Sequence, residues 1–176
     1  MVLFGIPFVF LWTVANAQSD VYSTFFLYGN DTCTGTPLQI TSAYVLIGQC
    51  TPAPCRTGTM TTCTNTVPSI PKGYAVTMTF SKQTCSAGQP ILVIGSLANT
   101  CFATPTNSLR YDIGSTSIRQ RAWSNPSCSG TAPVDVSVNF GCTVVSASQS
   151  QLVMVSNAAS SLVAWVAFAC FATFFL

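Results

Sequence analysis

The sequence predicts an all-β fold, a disulfide-stapled sandwich or barrel-like assembly, and three observations carry that prediction. Apolar residues alternate with polar ones in Val76-Thr77-Met78-Thr79-Phe80 and again from Val134 to Phe140, the period of a strand with one buried and one wet face. Gly and Pro punctuate the chain in the segments "CTGTP", "CSAGQP" and "CSGTAP", as hairpin connections require. A motif built around a cysteine recurs three times, and no stretch between residues 18 and 155 shows a helical period.

The chain opens with "MVLFGIPFVFLWTVANA", an apolar run too short to span a bilayer comfortably that closes on Ala15-Asn16-Ala17. This is the pattern of a signal peptide over residues 1–17, with the mature chain beginning near Gln18. Residues 18–155 then form one cysteine-rich β domain, and residues 156–176 read as a processing or anchoring segment. Leu162 to Leu176 carries no charge, and the small residues Ser156, Asn157, Ala158 and Ala159 stand before it. That order predicts a glycosylphosphatidylinositol (GPI) attachment signal with Asn157, or Ser156, as the attachment residue. A C-terminal membrane helix from about Ala158 is the alternative.

Composition narrows the chemistry. The chain has six Lys and Arg, four acidic residues (Asp20, Asp31, Asp112 and Asp135) and no His. A net charge of +2, dispersed along the sequence, does not predict nucleic acid as a partner. Serine catalysis lacks its usual imidazole base, no phosphate-cradling glycine loop opens a helix, and the four aspartates include no convincing pair for glycoside hydrolysis. The chain therefore reads as a protein other than an enzyme, without a cofactor. Nine cysteines are present, and eight remain if the segment holding Cys170 is removed. An even set behind a signal peptide predicts disulfides formed in an oxidising compartment; with no His to assist, metal ligation is not expected.

The repeat becomes visible when "YGNDTCTGTPLQITSAYVLIGQC", "FSKQTCSAGQPILVIGSLANTC" and "WSNPSCSGTAPVDVSVNFGC" are aligned on their first cysteines. Each places an aromatic residue five positions before that cysteine, follows it with Thr or Ser and small residues, and runs through a strand-like stretch to a second cysteine. The simplest pairing joins the cysteines within each unit: Cys33–Cys50, Cys85–Cys101 and Cys128–Cys142, leaving Cys55–Cys63 to staple the intervening loop. The continuous runs Ala43–Gly48 and Ile91–Gly95 predict strands covered on both sides. Thr51 to Gly73, with four prolines and many threonines, predicts an exposed extended segment open to O-glycosylation, or a plain solvated loop.

Two further features carry candidate sites. Asn30-Asp31-Thr32 is an N-glycosylation sequon on an expected hairpin end. Leu109 to Trp123 predicts a hairpin turning at Gly114 to Ser117, with Arg119 and Arg121 on one face and Arg110 opposite them. Those three guanidinium groups, beside Tyr111 and Trp123, form a candidate site for a sulfated or phosphorylated glycan or for lipid headgroups. The competing expectation is the solvated face of an edge strand, charged against aggregation.

The order of signal peptide, Cys-x-x-x-Pro opening at Cys33 to Pro37, β-rich cysteine domain and lipid-anchor tail resembles ponticulin and related small GPI-anchored surface proteins of protists. Four cysteine pairs in three units depart from that pattern. The resemblance implies a plasma-membrane glycoprotein linked to F-actin. From the residues themselves, the leading expectation is a glycoprotein on the outer face of the plasma membrane serving adhesion, recognition or coat structure, with a glycan or cell-surface protein as ligand. A secreted ligand-binding module or inhibitor is a further alternative.

Overall fold

The computed structural model describes residues 21–46, 48–86 and 88–157. The expected signal peptide and most of the C-terminal segment lie outside the described residues. Twelve strands and no helix occur among the residues described. They are β1 (Val21–Leu27), β2 (Gln39–Val45), β3 (Ala53–Arg56), β4 (Thr59–Thr64), β5 (Tyr74–Phe80), β6 (Leu92–Leu97), β7 (Phe102–Ala103), β8 (Ser108–Ile113), β9 (Ser117–Trp123), β10 (Val134–Asn139), β11 (Gly141–Ser146) and β12 (Gln149–Val155). An eight-stranded sheet runs in the order β11-β12-β5-β6-β2-β1-β4-β3, and a four-stranded sheet in the order β10-β9-β8-β7. Every pairing between these strands is antiparallel.

The three sequence repeats are three β-hairpins: β1–β2, β5–β6 and β9–β10. Tyr28 directly follows β1, while Phe80 and Trp123 are the last residues of β5 and β9. The shared aromatic therefore marks the point where each hairpin leaves its first strand and enters the cysteine loop.

β5 is central because it is buried from both sides. Tyr74, Val76, Met78 and Phe80 point into the main core with Ile40 and Val93, joined by Phe26, Leu152 and Met154. The opposite face of β5 gives Ala75 to a second cluster with Val153 and Ile118, against which Tyr111 and Phe140 pack. Ile118 and Tyr111 belong to the smaller sheet, so this cluster is where the two sheets meet. Tyr74 also donates its hydroxyl to the carbonyl of Pro37, fastening the first cysteine loop to the core.

Residues 51–73 depart from the expected exposed loop. They contain β3 and β4, with β4 paired along β1 from Tyr22↔Thr64 to Leu27↔Thr59. Threonine is a good strand former, and its density here serves β-structure. Val67 and Ile70 then cross over the main core. Gly95 makes room for that crossing: a Cβ there would stand 3.1 Å from Ile70 Cγ2.

Two apolar runs are also less covered than their pattern predicts. β2 ends at Val45, and Leu46 beyond it is 60% exposed. Val134, Val136 and Val138 share a sheet face with Ala122 and Ile118, yet Val136 is 50% exposed. β10 is the edge strand of the smaller sheet, and alternation fixes which face a side chain takes without supplying a layer to cover it.

The disulfides are Cys33–Cys55, Cys50–Cys63, Cys85–Cys142 and Cys101–Cys128, with Cα separations of 5.8–5.9 Å. All four expected pairings are corrected. In each repeat a strand lies between the two cysteines: β2, β6 or β10. A strand of six or seven residues carries the chain about 20 Å, whereas a disulfide bridges Cα atoms no more than about 7 Å apart. Cys33 lies past the end of β1 where Leu27 faces Thr59, and it meets Cys55 there. Cys50 follows β2 at the other end, where Cys63 faces Ser23 on β1. Cys55 and Cys63 fail to meet because β3 pairs with β4 through Arg56↔Thr59, which leaves Cys63 roughly 10 Å along the strand from the position facing Cys55.

Candidate functional site

The smaller sheet assembles the predicted arginine site, but in a different state. The hairpin turns where expected, with the N–H of Gly114 donating to the carbonyl of Ser117 at 2.8 Å. Arg110 stands directly across from Arg121, and Asp112 across from Arg119. Period two places Arg110, Asp112, Arg119, Arg121 and Trp123 on the outer face and sends Tyr111 to the inner one. The expected neighbourhood of Tyr111 is corrected accordingly: it packs against the inter-sheet cluster and meets Phe102 edge-on, with ring centroids 6.2 Å apart. Burial raises its phenol pKa above the ordinary value, partly offset by a hydrogen bond with Ser96.

Each guanidinium on the outer face is partnered. Arg119 binds Asp135 of β10 in a fork, with Nε at 2.6 Å from Oδ1 and Nη2 on Oδ2. Arg121 holds Asp112 through Nε at 2.8 Å and through Nη2. Arg110 Nε lies 2.9 Å from Asp112 Oδ1 without the alignment of a hydrogen bond, so that contact is an ion pair alone. The fork with Arg119 lowers the Asp135 pKa and raises that of Arg119. Three arginines against two aspartates leave this face near balance. An incoming anion would compete with carboxylates already bound, and solvent screening keeps the contribution of such surface pairs small.

Trp123 is the foundation under these charges. It is 3% exposed, donates its indole N–H to the carbonyl of Gly130 at 3.0 Å, and has the guanidinium carbons of Arg110 and Arg121 at 5.7 and 5.4 Å from its ring. Both cations thus stack on an aromatic whose position the following loop fixes. The apolar stems of the arginines roof the ring while their heads stay with the aspartates.

Asn30 lies in a loop whose geometry is duplicated. Its Oδ1 accepts from the N–H of Thr32 at 3.2 Å and from the Thr32 hydroxyl at 2.9 Å, while Nδ2 donates to the carbonyl of Thr34 at 2.8 Å. In the third repeat, Asn125 Oδ1 accepts from the N–H of Ser127 at 3.0 Å and its hydroxyl at 2.9 Å, and Nδ2 donates to the carbonyl of Ser129 at 3.0 Å. Cys33 and Cys128 both take a φ of 50°, and Gly35 and Gly130 follow at 83° and 79°. The asparagine substitutes for backbone partners that a tight loop cannot supply. Lys82 occupies the equivalent place in the second repeat, which accordingly lacks this network. The recurring offset of Asn to Cys was the sequence signal for this motif.

At the C-terminal boundary, Ser156 is 6% exposed and belongs to the folded domain rather than to the segment after it. Its N–H donates to the carbonyl of Tyr74, its carbonyl accepts from Gly73, and its hydroxyl accepts from the N–H of Tyr74 while donating to Pro71. Asn157 is exposed. No helix among the described residues is long and apolar enough to cross a membrane.

Comparison of the chain with protein-family models, with curated proteins and with solved structures finds no match.

Proposed function

We propose that the chain is a cell-surface glycoprotein on the outer face of the plasma membrane, held by a glycosylphosphatidylinositol anchor at Asn157 and serving adhesion, recognition or coat structure. The observation that carries this reading is the handover from Ser156 to Asn157. Ser156 is buried within the clamp and closed to a transamidase, whereas Asn157 is the first residue past the clamp and is exposed. The uncharged run from Leu162 to Leu176 follows. Four disulfides suit an oxidising compartment. The balanced arginine face favours recognition through stacking and hydrogen bonding over capture of polyanions.

Treatment of expressing cells with phosphatidylinositol-specific phospholipase C tests the anchor. The expected result is release of a chain whose last peptide ends at Asn157 with a glycan remnant, and loss of surface display in Asn157→Trp. Recovery of peptides from residues 158–176 in the surface protein would rule the anchor out.

A further inference from the structure

We propose that the apolar cavity around the unflanked end of β12 takes one acyl chain of a bilayer phospholipid. The inference rests on the surface-anchoring reading for the orientation of the cavity mouth, and on the cavity itself for the chemistry.

The cavity has a volume of about 820 Å³, inside the range of about 300–1,000 Å³ found for small-molecule sites. Its floor is two cross-strand pairs of the main sheet, Val76 with Met154 and Met78 with Leu152. Ile70 flanks that floor from the crossing segment, and Phe140 flanks it from the link between β10 and β11. The opening has a structural origin: β11 begins at Gly141 opposite Val153, so the end of β12 is left unflanked on that edge.

The lining selects the ligand. None of the described residues that line the cavity is charged, and its polar members include Ser69, Ser115 and Asn157. A free fatty acid would bring a carboxylate with no cation to receive it, an expensive burial. A phospholipid can insert hydrocarbon alone and leave its headgroup in water. Two methionines on the floor suit a flexible chain, since their side chains adapt to the shape of what they contact. Asn157 lines the cavity and is also the residue that carries the proposed anchor. Under the anchoring reading, the mouth therefore lies next to the bilayer that holds the ligand.

The test uses the mature anchored protein purified from expressing cells and reconstituted with phosphatidylcholine vesicles that contain a phosphatidylcholine bearing a diazirine near the end of one acyl chain. Flotation first reads membrane association, and illumination followed by peptide mapping then reads occupancy. The expected result is label on the peptides holding Ile70 and Met154. It should fall about tenfold in Met154→Trp, which fills the floor, and in Ser69→Trp, which obstructs the exposed rim without altering the core. A non-reducing peptide map showing the four native disulfides certifies each variant as folded. Flotation without label on the cavity peptides, or label that persists in both folded variants, overturns the lipid site and leaves the anchoring reading standing. Protein that neither floats nor labels overturns both.

Discussion

The loops around Asn30 and Asn125 are built alike and placed differently. Both use an asparagine three residues before a cysteine to collect the N–H and hydroxyl two residues on and the carbonyl four residues on, with Asn30 also accepting from the N–H of Thr34, and both hold that cysteine at a positive φ. The first is bonded through Cys33 to Cys55 on β3, an exposed edge strand. The second is bonded through Cys128 to Cys101 and also supports the buried Trp123 through Gly130. A loop motif can therefore be duplicated without duplicating its work: one copy closes an edge, and the other supports the stacked arginines.

The largest effect that could break this comparison comes from removing the disulfides in pairs. The bridges span 22 and 27 residues, so chain entropy alone assigns them nearly equal contributions of roughly 3–4 kcal/mol. Cys101→Ser with Cys128→Ser is expected to cost at least about 1 kcal/mol more than Cys33→Ser with Cys55→Ser in urea unfolding, because it also loosens the support of Trp123. Equal losses would mean that the second loop is no more deeply rooted than the first.

A smaller effect should follow from Asn30→Ala and Asn125→Ala in unglycosylated protein. Asn30→Ala removes an acceptor for three local donors and Asn125→Ala one for two, and each removes one donated bond, at about 1–2 kcal/mol. Similar midpoint shifts are expected, and a shift at only one position would show the networks to be alike in geometry alone.

Alkaline titration reads the burial that roots each of the two regions. Burial raises the pKa of Tyr74 above 10.0, with a further contribution from Tyr28, and burial likewise raises that of Tyr111. A folded phenol that holds its proton longer than the unfolded one contributes stability present below about pH 10 and lost as pH rises through the folded value. Absorbance titration should show both phenols ionising late, with unfolding accompanying them. Ionisation of all five tyrosines as ordinary exposed phenols, with the fold retained, would contradict the burial.

The smallest stability effect is expected from exchanging the residues that distinguish the loops. Pro126 shows that proline fits this motif, so Asp31→Pro should abolish sugar addition at Asn30 while changing stability by less than about 0.5 kcal/mol. Pro126→Asp should create an acceptor at Asn125. Endoglycosidase digestion of both variants expressed in secreting cells reads the outcome, and a collapse of stability in Asp31→Pro would show the two backbones to differ.

The fold class was legible in the sequence because alternation and turn residues are local signals. Val76, Met78 and Phe80 are buried as their period requires, and the Gly114 turn falls where its residues place it. The repeat marked all three hairpins. Disulfide pairing was not legible: proximity along the chain and proximity in an antiparallel sheet are opposed wherever a strand intervenes, as between Cys33 and Cys50. The arginines of the candidate site were found, but their neutralisation depended on Asp135, whose partner is 16 residues away on another strand. Exposure of Val136 was equally hidden, because a period names a face and not the layer above it. The hydroxyl clamp at Ser156 left no sequence signal beyond a serine in a serine-rich region.

That clamp also has a mechanical meaning. A pull applied at Asn157 enters the molecule through Ser156, whose backbone is bonded to Gly73 and Tyr74, and then runs along β12 against β5. The load is therefore shared across a row of hydrogen bonds loaded lengthwise in shear, rather than being concentrated on one bond at a time as in peeling. A domain tethered at this end would resist traction through its central strand while its cysteine loops remained unloaded.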